Sequence, residues 1–167
     1  MKNLWAPWRM AYIGDIGKND SSCFLCDAVA GDPVEHLVIW KNDLTFCVMN
    51  RFPYNNGHLL IAPIRHIADL TEATDEEMLD LMRLVRDTQR LLSMAISPHG
   101  FNVGINLGRC AGAGLPGHVH VHVVPRWNGD TNFVSVCSDI KVVSQGLAEM
   151  LEQLKETAKA MGSQKPG

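Results

Sequence analysis

Three histidines alternate with valines in the run His118-Val119-His120-Val121-His122-Val123-Val124, and imidazole is the side chain that most readily does chemistry near neutral pH. Period two is the strand period. On one strand the three imidazoles line one face and Val119, Val121 and Val123 the other. Adjacent histidines would then stand about 7 Å apart. The valine face suits a core. The histidine face is costly to bury without partners, so it belongs in a cleft. Two chemistries fit such a face: metal ligation, and covalent catalysis in which one imidazole attacks and its neighbours orient it. The plain alternative is a solvated, histidine-rich strand. Three of the chain's seven histidines in one alternating run weigh against it.

The flanks favour phosphate chemistry. Upstream lies Gly108-Arg109-Cys110-Ala111-Gly112-Ala113-Gly114-Leu115-Pro116-Gly117. Its glycines let backbone approach a ligand closely and turn N–H groups towards an anion. Alone, this would be an ordinary glycine-rich turn. Downstream, Pro125 is expected to end the strand, and Arg126, beside Trp127, can pair with phosphate. Histidines, an amide-lined loop and an arginine together point to phosphoryl or nucleotidyl transfer.

The seven-residue run resembles the signature of the histidine triad (HIT) superfamily, His-φ-His-φ-His-φ-φ with φ apolar. The resemblance implies that His120, the middle histidine, attacks the α-phosphorus of a nucleotide. His122 would donate to a phosphate oxygen, and the backbone carbonyl of His118 would fix the His120 tautomer. The stretch from Asn50 through Pro53 to Gly57-His58 is similar to a HIT loop, which implies that Asn50 contacts the ribose and that His58 lies beside the triad. Asn106 stands where relatives place an amide on the phosphates. Gly112, Gly114, Leu115, Pro116 and Gly117 would supply the phosphate loop.

Many HIT hydrolases carry Gly-Gln and then Ser or Thr before the triad. Here Gly114-Leu115-Pro116-Gly117 stands instead, so backbone amides must replace those side chains. This string, and Asn3-Leu4-Trp5-Ala6-Pro7-Trp8-Arg9 at the N-terminus, resemble the branch related to bacterial diadenosine tetraphosphate phosphorylases. Cys23-Phe24-Leu25-Cys26 can chelate zinc or do redox work. No thioredoxin-like sequence surrounds the pair. A tetrahedral zinc site needs two further ligands, and the resemblance supports His66 and His118.

The positioning elements read as follows. Residues 23–30 form a short helix ended by Gly31. His36–Trp40 and Leu44–Met49 form a hairpin across Asn42-Asp43, with Cys47 in the core. Leu59–Ala62 is a strand closed by Pro63. Val48 and Leu60 could wall a base pocket, although core packing is the safer reading. Thr74-Asp75-Glu76-Glu77 is a capping box. It opens a long helix whose inner face is predicted to hold Met78, Leu81, Met82, Val85 and Leu92, with Arg83, Arg86 and Arg90 solvated and Pro98 and Gly100 ending it. Phe101–Leu107 is the strand before the glycine loop. Val134, Val136, Ile140 and Val142 suit an extended segment. Residues 144–160 read as a second helix with Leu147, Met150, Leu151 and Leu154 inward.

The chain has 167 residues, 46% hydrophobic and 20% charged, with a net charge of −3. That describes one globular domain and argues against a general nucleic-acid binder. No apolar run suits a membrane span. The five cysteines, with no signal-like N-terminus, fit a reducing cytoplasmic setting rather than a disulfide framework. The expected fold is α+β: an antiparallel sheet of about five strands, one long helix across it and a C-terminal helix. Residues 1–22 form an extension packing on the domain or on a dimer partner, 23–160 the HIT domain and 161–167 a flexible tail. The resemblance implies a homodimer with joined sheets. The reading favours phosphorolysis of diadenosine tetraphosphate to ADP and ATP, with inorganic phosphate as acceptor. The alternatives are a HIT hydrolase of dinucleoside polyphosphates or nucleoside phosphoramidates that releases AMP, and a nucleotide-binding sensor.

Overall fold

The computed structural model describes residues 23–130 and 145–162. The predicted N-terminal extension and the extended segment around Val134–Val142 lie outside the described residues. In chain order the elements are α1 (Phe24–Ala30), β1 (Val38–Lys41), β2 (Thr45–Met49), β3 (Leu59–Pro63), α2 (Asp75–Ile96), β4 (Gly100–Ile105), β5 (Val121–Arg126) and α3 (Leu147–Gly162). The five strands form one antiparallel sheet in the order β1-β2-β3-β5-β4. The α+β class is as expected.

Every residue of β2 and β3 is buried, because both faces of these strands are covered. On one face Cys47, Met49, Leu59, Ile61, Val121 and Val123 pack against Leu81, Leu84, Val85, Leu91 and Leu92 of α2 and Met150, Leu151 and Leu154 of α3. On the other face Phe46, Val48, Leu60 and Ala62 pack with Leu25 and Ala28 of α1. Val121 and Val123 of the histidine run fall on the first face as predicted, Val119 is buried ahead of the strand, and Val48 and Leu60 lie in the core of the second face.

The capping box forms as read. Thr74 Oγ1 accepts from Glu77 N at 3.2 Å, and Glu77 Oε2 accepts from Thr74 N at 2.9 Å. Arg65, just beyond β3, adds a two-pronged ion pair to Glu77 at 2.9 and 2.7 Å. The start of α2 is thereby tied to the end of a central strand.

Several expectations are corrected. Met82 is not inward but 56% exposed. One residue beyond Leu81 turns about 100° off the buried stripe, which Leu84, Thr88 and Leu91 complete. The strand β1 starts at Val38 rather than His36, because Leu37 N and Val38 N bond back to Val34 O and Pro33 O in a turn. The helix α3 runs to Gly162, two residues beyond the expected end.

The histidine strand is also shifted. β5 begins at Val121 and continues through Pro125 to Arg126. Pro125 does not end it. In a strand, N and C=O of one residue point the same way, and Pro125 O accepts from the Asn55 side chain at 2.9 Å. The missing N–H therefore faces the Asn55 loop, where pairing with β3 has already ceased at Val123–Leu59. His118 to His120 precede the ladder, held by Val119 N–H donating to Ile67 O at 2.7 Å.

Candidate active site

The histidine run divides into two sites. The His120 and His122 rings lie together, centroids 4.9 Å apart at 67°, on the sheet face opposite α2. The ring of His118, read both as a triad member and as a ligand beside His66, stands on the ligand side, meeting His66 edge-on at 4.9 Å. His118 reaches His120 only through its backbone.

That backbone contact determines which nitrogen of His120 is free. The His118 carbonyl can only accept, so Nδ1–H of His120 donates to it at 2.9 Å. The lone pair is therefore on Nε2. Burial lowers the His120 pKa below the ordinary imidazole value, which favours this neutral form.

A second chain of hydrogen bonds orients His122. Tyr54 N–H donates to Nδ1 of His58 at 3.1 Å, and the Asn50 amide lies 3.2 Å from the same atom. Nδ1 of His58 is thus an acceptor, and its proton is on Nε2. That proton is directed to Nδ1 of His122 at 3.0 Å. His122 must then carry its own proton on Nε2, which faces Asn106 Nδ2 at 3.5 Å, a donor that cannot accept it and so leaves the proton for another acceptor. Burial, and then the neighbouring His120, push the His122 pKa down to about 4. Two neutral imidazoles result, one with its lone pair on Nε2 and one with its N–H on Nε2.

The loop carrying His58 is fixed at several points. Asn50 N bonds His58 O at 3.0 Å, Asn50 Oδ1 accepts from Phe52 N at 2.9 Å, and His58 N bonds Asn55 O at 3.2 Å. Asn55 is buried, bonding Pro125 O and Asp130. Asn50 thus caps its turn and also reaches His58. Gly57 has φ +70°, and a Cβ there would sit 2.7 Å from Ile96 Cδ1. Arg126, an expected phosphate partner, is engaged with Asp130 at 2.6 and 2.9 Å and with Asn102 at 2.7 Å.

The glycine loop is partly closed on itself. Gly108 and Gly112 have φ +79° and +90°. The amides of Ala111 and Ala113 bond Gly108 O and that of Gly112 bonds Arg109 O. Gly112 N–H is therefore occupied, and Gly114, Leu115 and Gly117 are the candidate amide donors. Pro116 has no N–H. Leu115 also packs against the α1-side cluster, and Gly117 lies beside His66.

The second site holds Cys23, Cys26, His66 and His118, whose ligand atoms all lie within 4.8 Å of one another. Nδ1 of His118 is 3.2 Å from Cys23 Sγ and 3.6 Å from Cys26 Sγ, and Nδ1 of His66 is 3.2 Å from Cys26 Sγ. A tetrahedral ion bound at about 2.0–2.3 Å would put neighbouring donors about 3.5 Å apart. The tautomer fits as well. Nε2–H of His118 donates to Pro63 O at 2.9 Å, which leaves Nδ1 free to ligate. Without a cation, burial and Cys23 push the Cys26 thiol up to about 11. The four residues can hold a metal ion. Sequence reasoning did not foresee the Pro63 carbonyl or the Tyr54 amide, since a backbone donor or acceptor carries no residue signature.

Residues 32–129 match the HIT domain family. The chain belongs to that family. The HIT chain is 38% identical over 156 residues to an AP-4-A phosphorylase of Mycobacterium tuberculosis, covering 89% of this chain and 80% of that one. It is 36% identical over 98 residues to a bis(5'-nucleosyl)-tetraphosphatase [asymmetrical] of Schizosaccharomyces pombe, covering 59% and 53% of the two chains. Among solved structures, a Zn-bound histidine triad family protein of Mycobacterium smegmatis superposes on this HIT chain with a TM-score of 0.69. Its identity is 25%, over 85% of this chain and 96% of that one.

Proposed function

We propose that this protein transfers a nucleotidyl group from a dinucleoside polyphosphate through a nucleotidyl-His120 intermediate, with inorganic phosphate as the acceptor. The observation that carries this reading is the free Nε2 lone pair of His120, set by Nδ1–H on the His118 carbonyl. With diadenosine tetraphosphate, Nε2 attacks the α-phosphorus, the P–O bond to the next phosphate breaks, and ATP leaves. Phosphate then attacks the adenylyl phosphorus, the P–N bond breaks, and ADP forms. Nε2–H of His122 donates to a phosphate oxygen, and the amides of Gly114, Leu115 and Gly117 add donors where charge develops. Asn50 is assigned to the ribose and Asn106 to the phosphates.

Phosphate is preferred over water as acceptor on two grounds. One is the likeness to the mycobacterial phosphorylase over nine-tenths of the chain. The other is Leu115-Pro116 in place of the side-chain donors of many HIT hydrolases. Hydrolysis to AMP and ATP is the second reading, favoured by the likeness to the yeast tetraphosphatase. Product analysis with and without inorganic phosphate separates the two. ADP plus ATP, formed only with phosphate, is expected. AMP plus ATP, formed regardless of phosphate, would overturn the choice.

The same proposal assigns zinc to Cys23, Cys26, His66 and His118. When bound it would act structurally, joining α1, the segment after β3 and the entry to β5. It also pairs two copies through β4, an edge strand among the described residues, with Asn102, Val103 and Gly104 exposed. Unpaired strand edges invite such pairing. The thiols suit a cytoplasmic setting. Among the described residues no helix is long and apolar enough to cross a membrane.

A further inference from the structure

Tyr54 has no part in the chemistry derived above beyond its backbone N–H, yet its side chain stands at the site. The ring centroid is 4.6 Å from that of His58 and 5.6 Å from that of His122, stacked on the latter at 23°. The residue is nevertheless 53% exposed. An exposed aromatic is usually free to move, but this one sits on a backbone fixed on both sides. Its own N–H is bound to His58, and Asn55, the next residue, is anchored in the interior. With its backbone anchored, the ring rests against His58 and His122 while much of the residue faces solvent. A ring so placed is suited to stacking a base at low ordering cost.

The ring's place in the site indicates which base. Ring contacts run from His120 to His122 and from His122 to Tyr54. Tyr54 thus meets the site through His122 and His58 rather than through the nucleophile's ring. In an in-line displacement the leaving group departs opposite the attacking atom, and it must exit to solvent while the adenylyl group stays on His120. We infer that Tyr54 is a specificity-determining residue that stacks on the distal nucleoside of the substrate, the one that leaves with the polyphosphate. This inference rests on the nucleotidyl-transfer reading. It adds selection for a substrate with a nucleoside at both ends.

Equilibrium binding to a His120→Asn variant tests it without requiring turnover. The probes are diadenosine tetraphosphate, adenosine 5'-tetraphosphate and AMP, and the first two differ chiefly in the distal nucleoside. The stacking partner should bind the dinucleotide about tenfold more tightly than the mononucleotide tetraphosphate. Adding Tyr54→Ala should remove that difference while leaving AMP and adenosine tetraphosphate affinities within twofold. Adding Tyr54→Phe should keep it. An equal loss for all three ligands would overturn the inference and make Tyr54 a prop for His58 and His122. No loss for any ligand, or no initial preference for the dinucleotide, would overturn it as well. Failure of the transfer reading is read separately, as absence of nucleotidyl-enzyme in the wild type.

Discussion

At residue scale, the site depends on which nitrogen of each imidazole carries its proton. His120→Ala is expected to abolish formation of the nucleotidyl-enzyme while leaving the fold intact. Near-normal turnover by a folded variant would sink the mechanism. His58 acts one step back, by directing the proton of His122. His58→Ala should lower kcat by about 10²-fold, the lower end of a general acid's contribution. Steady-state kinetics with unchanged AMP binding would confirm that the loss lies in donation rather than in recognition. Gly57→Ala tests the loop that holds His58. A positive φ combined with a methyl 2.7 Å from Ile96 should cost about 1–3 kcal/mol, read from the denaturant midpoint.

At element scale, the start of α2 is joined to the end of β3 by one carboxylate. Glu77 caps Thr74 N and pairs with Arg65. Its pKa is held below the usual carboxylate range, by Arg65 first and the Thr74 amide second. A carboxylate with a depressed folded pKa stabilises fully above its unfolded value, about 4.3, and loses that contribution as pH falls through the folded value. Glu77→Gln should therefore cost about 1–3 kcal/mol at pH 7, a gap that narrows below pH ~4. Chemical denaturation at both pH values checks the sign. A constant gap would show that packing, not charge, is responsible. Both halves of the capping box were legible in Thr74-Asp75-Glu76-Glu77, because capping depends on local spacing. Arg65 was not, because its approach depends on where β3 ends.

At the scale of the whole molecule, the Cys–His cluster that can hold a metal and the edge strand β4 are the features to test. Removing metal by chelation, or by Cys26→Ser, should lower the thermal midpoint and release about one zinc per chain in elemental analysis. Because the cluster holds His118, whose carbonyl orients His120, kcat should fall in parallel with the midpoint. Val103→Asp, on the exposed β4 edge, should shift a dimer to monomer in sedimentation. An unchanged sedimentation coefficient would remove β4 as the interface.

The sequence by itself determined the periodicities. The alternation of 118–124 named the valine face as core and the histidines as the reactive residues. Cys23-x-x-Cys26 and the loop from Asn50 to His58 named the remaining candidates, because ligand types and turn chemistry are local properties. The resemblance had placed His118 both in the triad and among the zinc ligands, and the tertiary structure decided that its ring belongs with the thiols. His118 left its neighbours because Pro63 O and the two thiols surround its ring, which no spacing within 118–122 encodes. Pro125 stayed inside β5 because the strand beside it had already ended. The His118 carbonyl that fixes His120 was expected from the resemblance, whereas the Tyr54 amide that fixes His58 was not. Every residue has a backbone donor, so only the fold could select that one.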